Sequence, residues 1–266
     1  MLINTYQLLR QVGLSEQRVI RLLPLTKITH FNAGELIWPN RGELQPWIHV
    51  VSGLVSVSAP GEDGNINPIN IYGPGTWLGE TAILDEHPAP LEFACLTAAE
   101  VVSLPFAEMS DAFKHESDFA RYIARLVSWR DQRRAEMLML LRSGTPALRV
   151  VLGLALFADA MLCNSSHLPP HQSSNFLEIP LKQSLLASMC GVSRGVFSAC
   201  VQQLAAAGYL RISYATLSLQ DIGTWDRFSQ AQRQNHHNRG NASMPEILSL
   251  MKAVSAPHHQ LARSAT

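Results

Sequence analysis

EIPLKQSLLASMCGVSRGVFSACVQQLAAAGYL, residues 178–210, decides the fold of this chain. Its apolar period predicts a short helix over Lys182 to Met189, then a tight turn at Cys190-Gly191-Val192 with glycine at the helix stop. A second helix runs from Ser193, a hydroxyl N-cap, to Ala206. Two short helices around such a turn make a helix-turn-helix. Leu185, Val192, Val196, Val201 and Leu204 are expected to form the apolar seam between them, leaving Arg194, Gly195 and Ser198 at the exposed start of the second helix. Gly208 to Asp221 then alternates as a two-stranded hairpin, a wing with its tip at Tyr214 and Thr216.

A second helix of this kind enters the major groove of double-stranded DNA by its N-terminal residues. Arginine there can grip guanine O6 and N7, and serine can bond a base edge or a phosphate. The expected DNA contacts are therefore Ser193, Arg194, Gly195 and Ser198 on that helix. Lys182 and Gln183 at the start of the preceding helix, with Tyr214 and Thr216 on the wing, complete the set.

Upstream, Gly144 ends one helix and Thr145-Pro146 opens another, which runs through Ala160. From Ser117 to Arg142, residues Phe119, Ile123, Leu126, Val127, Arg130, Met137, Leu140 and Leu141 fall largely on one stripe of a single helix. Such a helix is roughly 39 Å long, more than a small domain covers, so a second copy packed along it is the economical arrangement. From Phe31 to Pro105, glycine and proline punctuate short alternating runs, a β-rich domain. Trp47 to Ala59 reads as one strand around Gly53, hairpinned through PGEDGN to INPINIYG, with LEFACL and VVSLP as further strands. A helix capped by Ser15 precedes them.

The 266 residues exceed one ordinary domain. With 47% hydrophobic and 16% charged residues the chain is globular, and its formal net charge of zero means that DNA binding must be argued from local pattern. The four cysteines, Cys95, Cys163, Cys190 and Cys200, lack zinc spacing and read as reduced thiols. The N-terminus has no secretory pattern, and the longest apolar stretch, Val150 to Cys163, is too short to span a bilayer. A cytoplasmic protein without membrane contact is the expectation.

In order, the pieces resemble the Crp/Fnr family of bacterial transcription factors. The carriers are Ala33-Gly34-Glu35, the run Trp47–Val51 ending in Ser52-Gly53, then Gly64, Gly73-Pro74-Gly75 and Gly79-Glu80. In the C-terminal half they are Gly191-Val192-Ser193-Arg194 and Gly208-Tyr209-Leu210. The resemblance covers roughly Phe31 to Trp225. It implies an α+β protein: an N-terminal β-roll (jelly-roll-like) sensor, residues 1–116; a long dimerisation helix, 117–143; and a winged helix-turn-helix, 144–228. A homodimer on a palindromic operator, assisted by RNA polymerase as a partner, is implied with it. Residues 229–266 are rich in Gln, Asn, His and Ser and read as a disordered polar tail with a short helix from Pro245 to Val254. His236-His237 and His258-His259 in that tail show no metal-site spacing, and no metal is expected.

Two departures shape the functional expectation. Cyclic-nucleotide-binding members of the family follow the Gly-Glu pair, about ten residues on, with an arginine that neutralises the phosphate. Here that place falls at Ala89-Pro90-Leu91, and no Lys or Arg lies between Arg41 and Lys114. A buried phosphate without a counter-charge is costly, so no cofactor is expected and cyclic nucleotide is disfavoured. An effector pocket, if used, would comprise Gly79, Glu80, Thr81, Ala89, Pro90 and Ser128. An iron-sulfur sensor lacks its N-terminal cysteines, and a haem held by His49 or His87 is the weaker alternative. In the second helix, Gly195 and Ala199 replace the glutamate and arginine common in the family, so the operator should differ. A cupin-type enzyme built on His49 and Glu80 has too few metal ligands, leaving a protein-interaction module with degenerate DNA contacts as the rival to a non-enzymatic regulator.

Overall fold

The structure, a computed structural model, describes residues 2–38, 42–59, 67–88, 91–162, 175–213, 216–234 and 242–255. It opens with helices α1 (Leu2–Gln11) and α2 (Glu16–Leu22), the latter capped by Ser15, whose side chain accepts from the Arg18 amide. Strands β1 (Lys27–Phe31), β2 (Leu36–Trp38), β3 (Trp47–Ser52), β4 (Val55–Ala59), β5 (Asn67–Tyr72) and β6 (Trp77–Leu78) follow. Helix α3 (Glu80–Asp85), strands β7 (Glu92–Cys95) and β8 (Ala99–Leu104) and helices α4 (Phe106–His115) and α5 (Ser117–Ser143) come next. Beyond them lie α6 (Pro146–Leu162), β9 (Phe176–Ile179), α7 (Gln183–Met189), α8 (Arg194–Ala206), β10 (Leu210–Ser213), β11 (Thr216–Gln220), α9 (Ile222–Gln234) and α10 (Met244–Ser255).

The chain divides into two compact units, with divisions inside α5 between Arg134 and Ala135 and inside α6 between Asp159 and Ala160, the end of α6 belonging to the first unit. In the first, two antiparallel four-stranded sheets, ordered β1-β8-β3-β6 and β2-β7-β4-β5, form the β-roll. Trp47 to Ala59 is not one strand. Gly53 sits at φ +84°, and a side chain there would run into the carbonyl of Ala98 at 2.2 Å, so the chain turns and delivers β3 and β4 to different sheets. The expected hairpin to the next run is present, with Val55 opposite Tyr72.

Strand β3 is buried on both faces, and its alternation sorts side chains between two cores. Ile48 and Val50 join Val55, Val57, Phe93 and Cys95. Trp47 points the other way, stacking on Trp77 at 3.8 Å and meeting Phe119 of α5 edge-on at 5.1 Å. That second core takes in Leu9, Leu14, Val19 and Leu22 from α1, α2 and the turn between them. Arg18 ties α2 to the start of α5 through Glu116 at 2.8 Å and to α4 through Asp111 at 2.7 Å.

In the second unit, α7 and α8 turn through 104°, within the range of a helix-turn-helix. The wing is a three-stranded sheet, β10-β11-β9, whose third strand Phe176–Ile179 is absent from the hairpin reading of the sequence. The segment from Ser229 differs most from its composition. Residues 229–234 continue α9, which buries Trp225 and Phe228, and Met244, Ile247 and Met251 are buried on α10. Arg233 at the end of α9 bridges Glu136 of α5 and Asp159 of α6. Polar residues set the average composition, but an i, i+3, i+7 stripe suffices to seat a helix.

Candidate functional site

Two helix starts and one hairpin converge in the second unit. Ser193 caps α8 with its hydroxyl accepting from the Val196 amide at 3.3 Å, and Lys182 occupies the N-cap position of α7. Gly191 at φ +62° makes the turn between them, and Arg149 steadies that turn by donating to the Gly191 carbonyl at 3.4 Å. Phe197, Cys200, Val201 and Leu204 of α8 are buried, as are Leu186, Ala187 and Cys190 of the preceding helix and turn. The expected seam is corrected here. Val196 is 36% exposed and Leu185 and Val192 are only half-buried, whereas Phe197 is fully buried. Positions 197, 200, 201 and 204 follow the i, i+3, i+4, i+7 rule, and Val196 lies one helical step, about 100°, off that stripe.

Between the two helix starts and the wing lies a cleft of about 440 Å³ lined by Lys182, Gln183, Ser184, Arg194, Ser213 and Thr216. Lys182 and Arg194 are both exposed, so two cations border a space open to solvent. The partial positive charge of the α8 N-terminus favours an anion there. Lys182, Gln183, Arg194 and Thr216 are thus brought together. Ser193 and Gly195 are exposed beside them, Ser198 is half-buried, and Tyr214 lies outside the described residues. Ser184 and Ser213 were missed. Each is within three residues of an expected contact, but hydroxyls alone carry little signal in a chain with many serines.

The first unit holds the expected effector pocket, and its centre is already taken. Arg130 of α5 is 3% exposed; its guanidinium pairs with Glu80, donates to the carbonyl of Trp77 and lies over the Tyr72 ring at 4.9 Å. Burial opposes the Arg130 charge, but Glu80 beside it outweighs that and holds the group above its ordinary value. The space left among Gly79, Glu80, Thr81, Tyr72 and Arg134 is about 20 Å³, room for about one water molecule. The cation that the β-roll sequence lacks therefore comes from α5. Ser128, expected in the pocket, is exposed and does not line it; it stands about 200° around the helix from Arg130. Ala89 and Pro90 lie outside the described residues.

His49 is 5% exposed and its ring lies 4.7 Å from Trp77, while His87 is at the surface with Nδ1 2.6 Å from the Asp85 carbonyl oxygen. Burial pushes the His49 imidazole down to about 4. The unfolded chain then binds a proton near pH 6.5 that the folded chain refuses, so stability is full above that pH and falls as pH drops toward 4. The loss should reach about 3 kcal/mol. Asp111, held below its ordinary value by its hydrogen bond from Arg18, contributes only at lower pH. Urea midpoints at pH 7 and pH 5 should therefore differ in the native sequence and converge in His49→Gln; equal slopes in both proteins would contradict this.

Among the described residues, no group of three or more His, Cys, Asp or Glu could hold a metal ion. The histidine pairs at 236–237 and 258–259 lie outside them. Among the described residues, no single helix is long and apolar enough to cross a membrane.

Residues 28–116 match the family described as cyclic nucleotide-binding domain. The chain is 35% identical over 122 residues to regulatory protein CysR of Synechococcus elongatus, a match covering 43% of this chain and 56% of that relative. Among solved structures it is similar to FixK2 of Bradyrhizobium japonicum, with TM-score 0.61 and 17% identity over 82% of this chain and 98% of the other. It is also similar to a CRP/FNR-family transcriptional regulator of Thermus thermophilus, with TM-score 0.54 and 20% identity over 77% of this chain and 98% of the other. A β-roll matched by the cyclic nucleotide-binding domain and a winged helix-turn-helix in one chain give this protein the fold of the Crp/Fnr family.

Proposed function

We propose that this protein is a sequence-specific DNA-binding transcription regulator that acts as a homodimer on a palindromic operator. The observation that carries the reading is the cleft bordered by Lys182 and Arg194 at the starts of α7 and α8. Helix α8 enters the major groove, Arg194 reaches a base edge, and Lys182 with Thr216 meets flanking phosphates. Relatives named as regulators support the reading. The dimer is supported by the 27-residue α5, on which Leu138 and Met139 remain 58% and 43% exposed. Two copies joined there present half-sites about 34 Å apart. RNA polymerase is the partner that a regulator of this fold would engage.

The β-roll of this regulator does not take up a cyclic nucleotide. Glu80 is committed to Arg130, and the cavity beside it is about 20 Å³. Titration with cyclic AMP should leave both the thermal midpoint and DNA affinity unchanged; a saturable rise in either would overturn this.

The testing experiment enriches bound fragments from genomic DNA at physiological salt, where phosphate contacts do not mask specificity. An inverted repeat is the expected yield. On that site Arg194→Ala should weaken binding by about 5- to 150-fold, the worth of one bidentate base contact. Lys182→Ala should instead weaken specific and random DNA alike and lower the salt slope by about one. No retarded fragment at any salt would move the weight to a protein-interaction module.

A further inference from the structure

Gly195 is a helical glycine that the fold itself does not require. It is the second residue of α8, it is absent from the glycines with positive φ, and a methyl group there would meet nothing nearer than Ser193 Oγ at 4.0 Å. Glycine in a helix costs stability relative to alanine because more backbone freedom is lost on folding. Its reason therefore lies outside the chain, in something that approaches the helix closely.

The surface around it describes what that something is. Val196, Ala199, Gln202 and Gln203 share the exposed face with Gly195, and none carries a charge. Val196 is 36% exposed although its neighbour Phe197 is fully buried. Cations lie at the border of this face, at Arg194 and Lys182, and not on it. A polyanion with an apolar interior strip fits that pattern. In the major groove the apolar group that stands out from the base edges is the C5-methyl of thymine; the N7, O6, O4, N6 and N4 positions need hydrogen-bonding partners that valine and alanine cannot supply.

We propose that Gly195 and Ala199 let the first turns of α8 seat close against the base edges, and that Val196 and Ala199 read thymine C5-methyl groups there. Each half-site then pairs a guanine met by Arg194 with thymines recognised through methyl contact. This rests on the DNA-binding reading above.

The test takes the full chain and an operator enriched from a random duplex library, then replaces each half-site thymine by deoxyuridine, which removes only the methyl group. One or two positions per half-site should lose about fourfold in affinity each, the worth of one buried methyl. Val196→Ala should be indifferent to the substitution at one of them. Gly195→Ala should raise the thermal midpoint while weakening operator binding, a split that a structural role for the glycine cannot produce. If an operator is recovered but every deoxyuridine substitution is silent, or Gly195→Ala binds as tightly as the native sequence, the methyl readout is wrong and the DNA-binding reading stands. If no operator is recovered, both fall together.

Discussion

Arg130→Met should destabilise the first unit by about 3–5 kcal/mol, because it leaves the Glu80 carboxylate buried without a counter-charge. The two side chains are 3% and 7% exposed, so solvent cannot substitute for the missing partner. The thermal midpoint should fall by roughly 6–20 °C. Two further measurements separate this cause from lost packing. The deficit should shrink as pH falls, since an isolated buried carboxyl has a raised pKa and folds as the neutral acid once protonated. The double variant Arg130→Met with Glu80→Leu should recover most of the loss, because removing both charges also removes both desolvation penalties. A double variant no more stable than the single one would show that the pair is not the source.

Phe197→Ala should have a comparable effect in the second unit, about 3–5 kcal/mol, since a large ring at 0% exposure leaves a cavity that neighbours fill only in part. It should also abolish operator binding at temperatures where the protein is still folded, because that buried ring anchors α8 in its unit. Val196→Ala, one residue away but exposed, should cost less than about 1 kcal/mol. Urea unfolding and a gel-shift titration on the three proteins check this. Equal losses at 196 and 197 would mean that the helix is rotated from its position here.

The architecture was legible in the sequence wherever a local rule set it. Ser193 before an apolar period marks the start of α8, and Gly144 with Thr145-Pro146 marks the junction of α5 and α6. The stripe Phe119, Ile123, Leu126, Arg130 lies buried along α5. What was not legible depended on contacts distant in sequence or on a choice between adjacent apolar residues. The apolar stripe turns Arg130 toward the core, but Glu80 is far away in the chain and nothing local names it as the partner. The sequence shows no basic residue between Arg41 and Lys114, but that α5 supplies a cation to Glu80 depends on a contact distant in the chain. Val196 and Phe197 are both apolar, and only the spacing to Cys200, Val201 and Leu204 selects the latter. The short helix expected from Pro245 to Val254 is present as α10, but the polar composition around it gave no sign that Met244, Ile247 and Met251 would be buried.

Arg233 and its neighbours have a bearing on how the chain is made. The Thr145 hydroxyl donates to the Ala242 carbonyl at a separation of 97 residues, and Arg233 reaches back 74 residues to Asp159. A ribosome adding about 5–20 residues per second needs roughly 5–20 s to synthesise the longer of these spans. For that interval α6, with Leu148, Val150, Val151 and Leu154 all destined for the interior, has emerged without the segments that tie it down. The surroundings of α6 are therefore completed late in translation, and slowed decoding between residues 160 and 240 should increase the fraction of nascent chains captured by chaperones.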